Sequence, residues 1–168
     1  MDLLDDEVLA VLTAIIVVAS VFSAALLVKP SHTEPFSAIG LLDQNCKIGD
    51  YPDFVLIGEN ITLCIYISNH EGRPEAYMVK YKFTTPEDLP TNTTPSKAES
   101  MIDRMVILDD GRDTTIKQKV HIPYDPEMIG NNATLVFELW KYDTGTQKWV
   151  YTGRWVHLHV KVLGVPKP

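Results

Sequence analysis

Two histidines one residue apart, His157 and His159, sit in the alternating stretch RWVHLHVKVL near the C-terminus. On an extended strand this spacing puts both imidazoles on one face, about 7 Å apart, which is the beginning of a zinc or copper site. Such a site takes three or four ligands, and His121, in a separate segment, would complete it only by a coincidence of register. The expectation is a polar strand face without metal. Asp109, Asp110 and Asp113 in LDDGRD have the acidity of a calcium loop, but neither its twelve-residue ligand spacing nor its bidentate terminal Glu. They read as a charged hairpin turn, and TPEDLP (residues 85–90) reads as solvated loop. No Gly-rich phosphate loop, no Gly-x-Ser-x-Gly and no carboxylate pair at an acid–base spacing is present. The expectation is therefore a protein that is not an enzyme, has no catalytic residue and takes no cofactor.

Three other groups of residues carry more. Trp140, Tyr142, Trp149, Tyr151 and Trp155 fall within 16 residues across what reads as the last hairpin. They suit either a cross-strand ladder or an exposed docking face for a protein or a sugar. Trp149 and Tyr151 flank the turn and are the first candidates for anchors, with Trp155 beside them. Asn60, Asn92 and Asn132 each begin an Asn-x-Thr acceptor pattern for N-linked glycan. Cys46 and Cys64 are either two small buried thiols or a disulfide, which would add on the order of 3 kcal/mol. Sequons and disulfides both belong to oxidising, non-cytosolic space.

The elements that must hold these residues are mostly strands. Beyond residue 36 the hydrophobic period is two. FSAIGLL (36–42) is the first strand, and ITLCIYIS (61–68) puts Ile61, Leu63, Ile65 and Ile67 on one face. In EAYMVKYKF (75–83), Tyr77, Val79, Tyr81 and Phe83 oppose Met78, Lys80 and Lys82. A long loop with Pro86, Pro90 and Pro95 precedes a strand near DRMVIL. TTIKQKVHI turns Ile116, Val120 and Ile122 inward and Lys117, Lys119 and His121 outward. ATLVFELWKY buries Leu135, Phe137 and Leu139. The closing strand sets Val156, Leu158, Val160 and Val162 against Trp155, His157, His159 and Lys161. About seven strands with turns between them make an all-β, immunoglobulin-like β-sandwich over residues 36–163. In a seven-strand Greek key the three sequons would gather at one pole.

Ahead of the sandwich, residues 8–28 hold no charge over 21 positions, enough helix to cross a bilayer. The acidic leader, residues 1–7, argues against a cleaved signal peptide. Lys29 weakly favours an outside N-terminus, whereas the sequons and cysteines favour a cytoplasmic N-terminus and an extracellular domain. The expectation follows the second: a single-pass protein of the cell membrane, its helix in contact with lipid. Residues 29–35, with two prolines, form a stiff spacer, and residues 164–168 a short tail. The net charge of -7 over 168 residues excludes nucleic acid as a partner.

From Phe36 to Val162 the chain resembles the C-terminal extracytoplasmic region of DUF1616, an archaeal family of uncharacterised membrane proteins. NITLCIYISNHEGRPEAYMVKYKF, above all its NHEGRPEAY turn, and the terminal YTGRWVHLHVKV carry the likeness. The resemblance implies a membrane-anchored β domain facing outward, and no catalytic residue to carry over. The reading that follows is an accessory or scaffold subunit of a cell-surface or membrane complex, its partners other membrane or cell-surface proteins. The alternatives are a glycan- or ligand-binding module that uses the aromatic hairpin, and a structural element of the cell envelope.

Overall fold

A computed structural model describes residues 6–27 and 34–164, divided into two units, Met1–Glu34 and Pro35–Pro168. Positions 1–5 of the leader, 28–33 around the spacer and 165–168 of the tail lie outside the described residues. In the first unit, helix α1 (Asp6–Leu27) is 22 residues long, or about 33 Å. Its Asp6–Ala25 stretch has a mean hydropathy of 2.6, apolar enough to cross a membrane. It starts two residues earlier than the charge-free run, taking Asp6 and Glu7 into its first turn, where carboxylates meet the positive end of the helix dipole. The Thr13, Ser20 and Ser23 hydroxyls donate to carbonyls one turn back, so these polar groups need no outside partner.

The second unit is a β-sandwich of eight strands among the described residues. One sheet runs β1 (Phe36–Leu42), β3 (Asn60–His70), β6 (Asp113–His121). The other runs β2 (Phe54–Leu56), β8 (Lys148–Leu163), β7 (Asn132–Asp143), β4 (Glu75–Thr84), β5 (Ile102–Leu108). Every pairing is antiparallel except the short β2 alongside the end of β8. The alternation read from the sequence holds. Leu63, Ile65 and Ile67 of one sheet and Tyr77, Val79, Tyr81, Leu135, Phe137 and Leu139 of the other fill the space between them, each nearly or fully buried. Apolar area removed from water on this scale drives the two sheets together.

Three features were not expected. The strand β2 is additional: three residues suffice because its neighbour Ile57 also donates to Leu163 O. Next, β8 begins at Lys148, so Trp149 and Tyr151 belong to the strand itself. It carries a bulge at Thr152–Gly153, where the partner of Leu139 is Arg154 and that of Trp140 is Tyr151. Finally, the proline-containing segment 85–101 is the expected loop, with Thr85, Pro86 and Glu87 exposed, but it does not stand free of the sandwich. It lies as a strap on the outer face of the five-stranded sheet, with Pro90 and Ser96 buried.

Cys46 and Cys64 are joined, with Cα atoms 5.2 Å apart, pinning the β1–β2 connection onto β3. Asp43 organises that connection by accepting the Asn45 and Lys47 N–H groups. These bonds, that of Lys47 foremost, hold its carboxyl below the usual range.

Candidate functional site

Side chains on the outer face of the five-stranded sheet follow from register, because directly paired residues share a face. Tyr151 of β8 opposes Trp140 of β7, Trp140 opposes Met78 of β4, and Met78 opposes Met105 of β5. Four strands thus contribute one continuous apolar row. Two residues further along each strand come Trp149, opposite Tyr142, and Ile107, opposite Ala76. The rings pack on one another: Trp140 and Tyr151 with centroids 5.5 Å apart, Tyr142 and Trp149 edge to face at 5.4 Å. Lys80 Nζ sits 4.5 Å above the Trp140 ring, a cation–π contact. All four aromatics are half-buried, while Met105 and Ile107 are 72% and 75% exposed.

The other half of the same face is closed by the strap. Lys82, which alternation correctly points outward, is 5% exposed. Its Nζ lies 3.1 Å from each carboxylate oxygen of the fully buried Glu138 and donates to Ser96 O at 2.6 Å. Glu138 also accepts the Ser96 N–H at 2.7 Å and Trp140 Nε1–H at 3.0 Å. Every charged atom of the cluster is thus engaged by protein, which is what a buried ion pair requires to be tolerated. At the start of the strap Asp88 accepts from Thr84 Oγ1, Ser96 Oγ and the Lys97 and Ala98 N–H groups. Burial alone would raise its pKa, but these four donors outweigh it and hold the carboxyl below its ordinary value. The tip of the strap reaches β8, where Tyr151 Oη donates to Thr91 O. An added Cβ on Gly153 would lie 2.2 Å from Asn92 O. Burial, and then the Glu138 charge, pushes the Tyr151 hydroxyl up to about 12, so it stays a donor at neutral pH.

The remaining sequence candidates are dispersed. Trp155 is outward but lies past the bulge, its ring tilted against His157 with centroids 5.1 Å apart and lining the gap between β8 and β1. His157 and His159 are neighbours at 4.7 Å, and His159 Nδ1 bonds Thr134 Oγ1. His121 is on the other sheet, beside Asn60. Burial, then the neighbouring His159, lowers the His157 pKa. Among the described residues no group of three or more His, Cys, Asp or Glu is placed to hold a metal. Asp110 accepts the Gly72 N–H, which ties the LDDGRD turn to the NHEGRP turn.

Asn60, Asn92 and Asn132 are all exposed. Asn60 and Asn132 share a pole, since Ile57, three residues before Asn60, bonds to Leu163 O, and Gly130 and Asn131, just before Asn132, bond to Val162. Asn92 departs from the expected cluster: it is carried by the strap to the bulge of β8, well down the sheet from Val162. Nothing in the residue pattern shows this, because the tip of the strap meets β8 through backbone oxygens, Thr91 O at Tyr151 and Asn92 O at Gly153.

The NHEGRPEAY turn hides a buried knot. Asn69 donates to Arg73 O and Leu108 O and accepts from the Glu71 N–H and Tyr77 Oη, all within 3.0 Å. Ser37 and Lys141 bind Glu71 and, against burial, keep its carboxyl low.

A sequence model described as a domain of unknown function, DUF1616, matches residues 30–161. No curated protein matches the sequence. Among solved structures, a β-glucosidase from Listeria innocua is similar at a TM-score of 0.46 and 11% identity, over 78% of this chain and 16% of that one. The Pseudomonas fluorescens alkylpurine DNA glycosylase AlkC gives 0.45 and 16%, over 76% and 30%. Spo0M, a sporulation control protein from Bacillus subtilis, gives 0.44 and 8%, over 76% and 49%. The chain thus spans under two thirds of each, and likeness at this level bears on no activity.

Proposed function

The chain belongs to the DUF1616 family, and we propose that it is a non-enzymatic, single-pass membrane protein whose sandwich docks another membrane or cell-surface protein. In this reading α1 spans the cell membrane, the sandwich is extracellular, and the protein is an accessory or scaffold subunit of a larger complex. The observation that carries it is the open half of the five-stranded sheet's outer face. Trp149, Tyr142, Tyr151, Trp140, Met105 and Ile107 form a continuous apolar surface there, bounded by the strap. A sugar site presents an aromatic ring flat beside polar groups in a groove. Here the rings are tilted at 48° and 67° against each other and flanked by Met and Ile, the chemistry of a protein-docking patch. The Cys46–Cys64 bond and the three exposed sequon asparagines support the extracellular placement.

Gentle purification from native membranes, with intact-mass spectrometry, tests both parts. The reading expects a stoichiometric partner that is retained by wild type and lost from the Trp149→Ala variant, and glycan mass at one or more of Asn60, Asn92 and Asn132. A chain that arrives alone, or a partner indifferent to Trp149, contradicts the docking role. Bare asparagines at all three positions count against the topology.

A further inference from the structure

The three sequons differ in what surrounds them. An acceptor asparagine belongs on a surface loop, and the pattern's need for Ser or Thr means that the hydroxyl two residues on must be reachable too. At Asn132 that hydroxyl is on Thr134, fully buried in β7 between β4 and β8, its Oγ1 bonded to His159 Nδ1. At Asn60 the amide Oδ1 meets His121 Nδ1 at 3.3 Å, and Thr62 is half-buried in β3 opposite Lys119 of β6. Asn92, Thr93 and Thr94 are all exposed and belong to no strand. Thr91 Oγ1 accepts the Thr93 and Thr94 N–H groups and fixes the turn that presents them. The Asn92 amide and the Thr94 hydroxyl have no hydrogen-bond partner among the described residues. Only this sequon stays fully reachable in the folded chain.

Asn92 is also part of a groove wall. Beside the bulge of β8 a hollow of about 430 Å³ runs along β1 from Phe36 to Ile39 and is closed by Asn92, Gly153, Arg154 and Trp155. That volume is in the range of ligand pockets, about 300–1,000 Å³. β1 is the edge of its sheet, and β2 covers β8 only from Lys161 to Leu163, so two unpaired strand edges flank the hollow. Ile39, Val156 and Leu158 pack against the core yet are only half-buried along this seam. Trp140 donates its Nε1–H to Glu138, whereas the Trp155 indole N–H has no acceptor and the Arg154 guanidinium no carboxylate among the described residues. An indole, an unpaired guanidinium and open backbone edges in one groove are the chemistry that holds a sugar, its apolar face on the ring and its hydroxyls on the donors.

We propose that Asn92 is glycosylated and that the sugars nearest the asparagine fold back into this groove, stacked on Trp155 and hydrogen-bonded to Arg154. Because the asparagine belongs to the groove wall, the attached sugar is an intramolecular ligand at high effective concentration, and weak ring contacts suffice to hold it. Seated there, it covers the open seam between the two sheets. The groove is on the β1 side of β8, while the docking patch extends from β8 across β7, β4 and β5, so sugar and docked protein do not compete. The proposal rests on the extracellular placement above.

The test is hydroxyl-radical footprinting of the full chain from native membranes, read together with glycopeptide mass spectrometry. Thr94→Ala removes the sequon and leaves Asn92 in its place beside Gly153, and Thr94→Ser keeps the sequon. The expected result is sugar mass on Asn92 in wild type and Thr94→Ser and none in Thr94→Ala. Oxidation of Trp155 should rise several-fold in Thr94→Ala alone, with Trp149 unchanged in all three. A bare Asn92 in wild type, equal Trp155 oxidation in Thr94→Ala and Thr94→Ser, or a matching rise at Trp149 overturns the proposal. A membrane-impermeant amine label on intact cells reports the topology separately, through the exposed Lys119. A labelled Lys119 with a bare Asn92 overturns this proposal alone. An unlabelled Lys119 with a bare Asn92 overturns the extracellular placement as well.

Discussion

Gly153 has a backbone φ of +73° and an imaginary Cβ 2.2 Å from Asn92 O, whereas Gly111, at φ +70°, has open space around it. Ala at either position bears the left-handed strain, about 1 kcal/mol. Only at Gly153 must the strap also move, so Gly153→Ala should cost on the order of 3 kcal/mol, against about 1 for Gly111→Ala. Denaturant melts of the two variants measure the difference. Equal costs would mean that the strap is not held at the bulge. Lys82 and Lys80 make a second comparison on one strand. Lys82→Met leaves the fully buried Glu138 without its cation and should cost about 3–5 kcal/mol. Lys80→Met loses only a half-exposed contact with Trp140 and should cost under about 1 kcal/mol. The outward direction of both lysines was legible in the alternation of EAYMVKYKF. Their different burial was not, because the strap is secured by the Ser96 N–H and C=O, groups that every residue type carries.

At the scale of elements, the strap depends on Asp88 being ionised. Its folded pKa is below that of the unfolded chain, so the stability it adds is fully present above the ordinary carboxylate value near 4. That stability is lost as pH falls through the folded value. Glu71, also held low by Lys141 and Ser37, acts in the same direction. The melting temperature should be insensitive to these groups between about pH 7 and 5 and should fall below about pH 4. An Asp88→Asn variant should melt lower than wild type at pH 7 and show a shallower acid decline. An unchanged acid slope would remove Asp88 from the account. Strands were legible wherever period-two alternation ran for five residues or more. β2 escaped because FVL is too short to show a period, and the bulge escaped because TGR reads equally well as ordinary strand. The NHEGRP turn was legible as a turn. The burial of Asn69 within it was not, since a polar residue after a run of Ile and Tyr looks like a strand end.

For the whole molecule, the sandwich presents one outer face in two halves with opposite character. The half under the strap is polar, ion-paired and closed, and the half toward Trp149 and Ile107 is apolar and open. Closing one half of a sheet with a strap while leaving aromatics and methionines on the other is the arrangement from which the docking role is proposed. The aromatic cluster was visible in the sequence as five residues in 16 positions. Its extension across β4 and β5 to Met78, Met105 and Ile107 was not, because cross-strand register joins residues far apart in the chain. What touches that patch is the most direct test. A photoreactive side chain placed at Ile107, inside the patch but away from its Trp149 anchor, and another at Lys119 on the outer side of β6, would be activated in native membranes. The expected result is one discrete cross-linked protein from position 107 and none from position 119. No adduct from 107, or the same adducts from both positions, would contradict the docking role.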